Sequence, residues 1–88
     1  MSEAKTTTDH ATIRRWVDER DGRPARVEGS GDGGILRIDF GEAEDRLAEI
    51  DWDAFFEIFE RSQLAFLYQE KTEDGSTSRF NKFVSRED

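Results

Sequence analysis

Residues 52–60 read Trp52-Asp53-Ala54-Phe55-Phe56-Glu57-Ile58-Phe59-Glu60. Trp52, Phe55, Phe56 and Phe59 recur at i, i+3, i+4 and i+7, which sets four rings along one face of an α-helix. Asp53, Glu57 and Glu60 take the opposite face, and Ile58 falls off the aromatic stripe. Asp51 is placed to cap this helix, with Ile50 and Phe55 at the two positions of a hydrophobic staple. A chain of 88 residues has few other large side chains with which to build an interior. The four rings are therefore read as the underside of a core helix rather than as a ligand site.

The chain on either side supplies what this helix packs against. Residues 1–7 are polar and read as a flexible tail, leaving a single domain over residues 8–86. Thr8 or Asp9 is an N-cap for a helix running to about Arg20, with Ile13, Trp16 and Val17 as its apolar stripe. Gly22 suits the left-handed position after that helix, and Pro24 opens an extended segment. ARVEG (25–29) and ILRIDF (35–40) flank the loop GSGDGG (29–34) and read as a hairpin. In the second strand Leu36, Ile38 and Phe40 alternate with Ile35, Arg37 and Asp39. Residues 47–50 suggest a short third strand. LAFLYQE (64–70) and residues 77–85 form a second hairpin about the turn Glu73-Asp74-Gly75, with Phe80 and Val84 on one face of the last strand and Phe83 on the other. The order is α-β-β-(β)-α-β-β. It predicts an α+β domain: an antiparallel sheet of four or five strands with two amphipathic helices on one face. The halves share an α-β-β order, but no repeat shows at the level of residues.

Charge narrows the functions. The net charge is −8. Residues 1–40 hold seven bases and eight acids, whereas residues 41–88 hold six and thirteen. Between Glu42 and Glu60 eight acids face one base, Arg46. Such a surface repels phosphate backbones and anionic lipid and favours basic partners or cations. The chain has no Cys, which excludes disulfides and thiolate metal sites and fits a reducing cytoplasm. The N-terminus carries no apolar signal segment, and no apolar run approaches the ~20 residues of a membrane span.

The motifs are mostly structural. GSGDGG leads into a strand rather than a helix and lacks a Lys-Ser/Thr ending, so it reads as a hairpin loop and not a phosphate cradle. His10, the single histidine, stands at a helix start and reads as solvated, with no triad partners. The acids of 42–60 lack the spacing of a calcium loop. Neither a cofactor, a metal site nor a catalytic set is expected. Arg14, Arg15, Arg20, Arg23, Arg26 and Arg37 are interleaved with Asp18, Glu19, Asp21 and Glu28 and read as ion pairs on a solvated face. If Leu36, Ile38, Phe40, Leu64, Phe66 and Tyr68 face the helices, then Ile35, Leu67 and Phe83 face away with no third layer to cover them. Those three residues, together with the acidic segment at Glu42, Glu44 and Asp45, are the candidate partner-binding positions. The reading is a non-enzymatic binding or regulatory module that meets an unidentified protein or a second copy of itself. The alternatives are a nucleic-acid binder using the arginines of residues 14–37 and an accessory subunit of an enzyme.

Three segments carry a resemblance: TTTDHATIRRWVDERDGRPARVEG, ILRIDF and IDWDAFFEIFERSQLAFLYQEKTEDGSTSRFNKFVSRED. Together they resemble a family of small, mostly uncharacterised bacterial proteins of about this length, over nearly the whole chain. The resemblance implies no functional residues. Some relatives bear the label glucan branching enzyme, but that activity belongs to a (β/α)₈ barrel of roughly 250 residues. This sequence departs from the family pattern in a shorter, more acidic 41–45 loop and in Asp51 where the family has Ser. Both residue types cap helices, so the expected fold is the same.

Overall fold

A computed structural model gives the fold and describes residues 3–27, 36–41 and 47–86. The elements run β1 (Ala4–Thr7), α1 (His10–Asp18), β2 (Arg23–Val27), β3 (Leu36–Asp39), β4 (Leu47–Glu49), α2 (Trp52–Arg61), β5 (Leu64–Gln69) and β6 (Asn81–Ser85). The α+β class stands. The single sheet of four or five strands is corrected to two antiparallel sheets of three, in the orders β1-β5-β6 and β3-β2-β4. The difference begins with Ala4–Thr7, read from sequence as part of a tail. This strand is held by its backbone ladder to β5, from Ala4↔Gln69 to Thr7↔Phe66. Such pairing leaves little mark in side-chain periodicity when three of the four residues are exposed.

With β1 included, the chain is two β-α-β-β units. Each unit lends its first strand to the other's hairpin: β1 pairs with β5, and β4 pairs with β2. The helices superpose in sequence at an offset of 42. Asp9 caps α1 by accepting from the Thr12 N–H at 2.9 Å, and Asp51 caps α2 by accepting from the Ala54 N–H at 2.8 Å. Ile13, Trp16 and Val17 correspond to Phe55, Ile58 and Phe59, and all six are buried.

Those residues form one core with Leu36, Ile38, Phe66 and Tyr68. Trp16 meets Phe66 edge-on at 5.3 Å between ring centres, and Phe55 meets Phe83 at 5.8 Å. Phe83 therefore faces inward, which corrects its expected outward position. The register explains this: Phe83 pairs with Phe66, and directly paired residues share a sheet face. Ile58, expected off the stripe, is buried, while Trp52 and Phe56 at the stripe's edge are half-buried. Gly22 is needed for close approach rather than for a left-handed backbone. A Cβ there would stand 2.9 Å from Ile38 Cγ2 and 3.0 Å from Val17 Cγ1. The left-handed residue is Asp21, at φ 57°.

Arg20 is not on a solvated face. Only 6% of it is exposed, and its guanidinium donates to the carbonyls of Ser78, Trp16 and Glu70 at 2.5, 2.9 and 3.0 Å while lying over the Trp16 ring. It ties the end of α1 to the connection between β5 and β6. Arg26 is half-buried and pairs with Leu36, so it too sits on the inner side of its sheet. Among the described residues no helix is long and apolar enough to cross a membrane.

Candidate functional site

The end of α1, the start of β2 and the β4–α2 junction meet around an open groove of about 510 Å³. Its walls bring together Asp18 and Asp21 from the first unit with Glu49 and Asp51 from the second. Among the described residues Arg23 is the one base in the lining, 3.7 Å from Glu49 with both side chains more than half exposed. Pro24, Ile50 and Trp52 supply apolar surface between the charges.

Local structure places each of these groups. Asp18 is the last residue of α1, and the left-handed turn at Asp21 swings the chain back toward β2. Ile50 is fixed by its N–H donating to the Pro24 carbonyl at 3.1 Å. Asp51 spends one carboxylate oxygen on the Ala54 N–H. Trp52, the first helical residue, packs edge-on to Phe55 at 5.0 Å and stacks on Phe56 at 5.3 Å. The Arg14 guanidinium lies 5.7 Å from the centre of its ring. Among the described residues, four carboxylates against the guanidinium of Arg23 in the lining and that of Arg14 on the Trp52 ring leave the groove an excess of negative charge beside an aromatic face.

The matching place in the other unit is built differently. His10, half-buried rather than fully solvated, stacks on Phe56 with ring centres 3.9 Å apart, and its Nε2 is 2.7 Å from Glu60 Oε2. Arg86 donates to the other oxygen of Glu60 at 3.1 Å. The Glu60 carboxyl is held below the usual carboxylate range, first by the Arg86 hydrogen bond and then by that of His10. Among the described residues no group of three His, Cys, Asp or Glu is placed to hold a metal.

Of the positions singled out in the sequence, Ile35, Glu42, Glu44 and Asp45 lie outside the described residues. Leu67 faces outward, half-buried, paired with Thr6 and Lys82. Phe83 faces inward, so these two do not share a surface. The structure brings together instead part of the acidic segment, Glu49 and Asp51, with Asp18 and Asp21, more than 25 positions away along the chain. Nothing in the spacing of α1 announces that meeting, because it depends on β4 crossing to pair with β2.

No family model matches the chain, and no curated protein or solved structure matches it.

Proposed function

We propose that this chain is a non-enzymatic, cytoplasmic protein-binding module, of the small bacterial family that its sequence resembles, and that the acidic groove takes a basic segment of another protein. The observation that carries the reading is the convergence of Asp18, Asp21, Glu49 and Asp51 beside a half-buried Trp52, opposed among the described residues by Arg23 in the lining and Arg14 on the Trp52 ring. Long cationic side chains suit such a site, since their stems cover Ile50 and Trp52 while their charges meet the carboxylates. A second copy of the chain brings a net charge of −8 to the same place, which favours a different, basic partner over self-association.

The test is a titration with a labelled peptide alternating basic residues and glycine. Binding at low ionic strength that weakens as salt rises supports the reading, because exposed charge contacts are screened. The double variant Asp21→Asn/Glu49→Gln, which leaves the helix caps intact, is expected to lose about three- to tenfold in affinity. Undiminished binding in that variant, or none in the native chain, overturns the assignment.

A further inference from the structure

We infer that the groove contains an arginine seat, in which Asp18 and the turn Asp21–Gly22 take a guanidinium from the partner segment. The inference rests on the groove reading above and adds the chemistry of what enters it. It comes from comparing the two units of this one chain.

In the second unit the corresponding place is filled from within. Arg86 donates from Nη1 to Glu60 at 3.1 Å, from Nε and Nη2 to the Leu64 carbonyl at 3.0 and 2.7 Å, and from its backbone N–H to the Gln63 carbonyl at 2.8 Å. Its guanidinium also lies 5.5 Å from the Phe59 ring centre. At the helix offset of 42, Glu60, Gln63 and Leu64 correspond to Asp18, Asp21 and Gly22. All three of the latter line the groove.

The register identifies what stands at the position of Arg86 in the first unit. Arg23↔Asp39 corresponds to Ala65↔Val84, so two residues beyond, Gly41 takes the place of Arg86. Gly41 has no side chain and a left-handed φ of 92°, and no atom of the described residues lies within 4 Å of its Cβ direction. Among the described residues the first unit thus keeps the carboxylate and the turn but sets no arginine on them as Arg86 is set in the second: Arg23 pairs with Glu49 and Arg14 lies against Trp52. Among the described residues Asp18 has no ion-pair partner. Trp52 stands where His10 stands in the other unit, and the contact of Arg14 with it shows a guanidinium lying against this ring. A planar fork that pairs with a carboxylate and stacks on an aromatic is a property of arginine and not of lysine.

The experiment compares two labelled peptides on the full chain, one alternating arginine with glycine and one alternating lysine with glycine, against native protein, Asp18→Asn and Asp53→Asn. Asp53 is an exposed acid of α2 outside the groove, so its variant removes the same charge without touching the seat. The arginine peptide is expected to bind about three- to tenfold more tightly than the lysine peptide, and Asp18→Asn to abolish that preference while Asp53→Asn retains it. Equal binding of the two peptides, or equal losses in the two variants, overturns the seat and leaves the groove as a general cation site. Failure of the native chain to bind either peptide at low salt overturns the groove reading and the seat together.

Discussion

Asp21 and Gln63, 42 positions apart, leave their helices with the same left-handed backbone, φ 57° and 54°. Each donates its N–H to the carbonyl three residues before it, Asp18 at 3.2 Å and Glu60 at 3.1 Å. A non-glycine residue adopts this conformation at a cost of roughly 1–2 kcal/mol. Both units accept that cost at the same place because the chain must reverse there to bring its hairpin under its own helix. The groove and its arginine-filled counterpart are the two consequences of this one turn.

Gln63→Gly removes that strain and is expected to raise stability by about 0.5–1 kcal/mol, less whatever the exposed Gln63 side-chain bond to the Glu60 carbonyl contributes. Urea unfolding is the measurement. A loss of stability would show that the turn is not strained as its φ implies.

Gly22→Ala should act in the opposite direction. Its new methyl would press on Ile38, Val17 and Phe40 at 2.9–3.1 Å, all side chains of the core or packed against it. Overpacking of this kind costs about 1–3 kcal/mol. A neutral result would mean that this corner of the core yields freely.

The helices and their caps were legible because Asp9, Asp51 and the 3.6-residue apolar stripes are local signals. The two-unit plan was not, although the halves share an order of elements. Between residues 7–27 and 49–69 the one identical pair is Asp9 with Asp51, and apolar volume is traded freely, Trp16 for Ile58 and Val17 for Phe59. Core positions ask for apolar bulk of about the right size rather than for identity, so packing keeps a repeat that residue comparison loses. The face of Phe83 was misread because no strong alternation runs through residues 77–85, and only the register with Phe66 settles which way it points. The groove was half legible: the acids near Asp51 stand out in the sequence, but their meeting with Asp18 and Asp21 needs the β2–β4 pairing.

The rings of α2 should divide by burial. Phe55 and Phe59 are fully enclosed, so Phe59→Ala is expected to cost about 3–5 kcal/mol, enough to unfold a large share of so small a domain. Phe56 is half-buried and meets His10 across the helix seam, so Phe56→Ala should cost clearly less and leave the chain folded. Circular dichroism and urea midpoints for the two variants decide the matter; equal losses would contradict the burial pattern.

Arg20 serves three carbonyls at once from a site that is 6% exposed. Replacing it by methionine keeps much of the stem but strips the donors from Ser78, Trp16 and Glu70. The expected loss is about 2–4 kcal/mol, most of it from the Ser78 and Trp16 carbonyls, since the Glu70 carbonyl keeps the Ser78 N–H at 3.1 Å. Hydrogen exchange should speed first around Ser78, where the guanidinium fastens the β5–β6 connection. Unchanged exchange there would show that the connection holds without Arg20.

Acid should weaken the Arg86 seat through Glu60. Its carboxyl is depressed by Arg86 first and His10 second, and a depressed carboxyl adds stability that is present above its unfolded value and lost as pH falls through the folded one. The window therefore opens at about pH 4.5, the ordinary value for this group, and extends downward. Asp9 and Asp74 are also lowered, each chiefly by a threonine side chain, Thr12 and Thr72, and contribute in the same direction. Glu60→Gln isolates the Glu60 share, because glutamine keeps an acceptor for Arg86 but cannot titrate. The stability gap between native chain and variant should shrink as pH falls below 4.5. A gap that persists unchanged to pH values where Glu60 is protonated would mean that Arg86 is held by the Leu64 and Gln63 carbonyls alone, and that the carboxylate is not part of what makes an arginine seat.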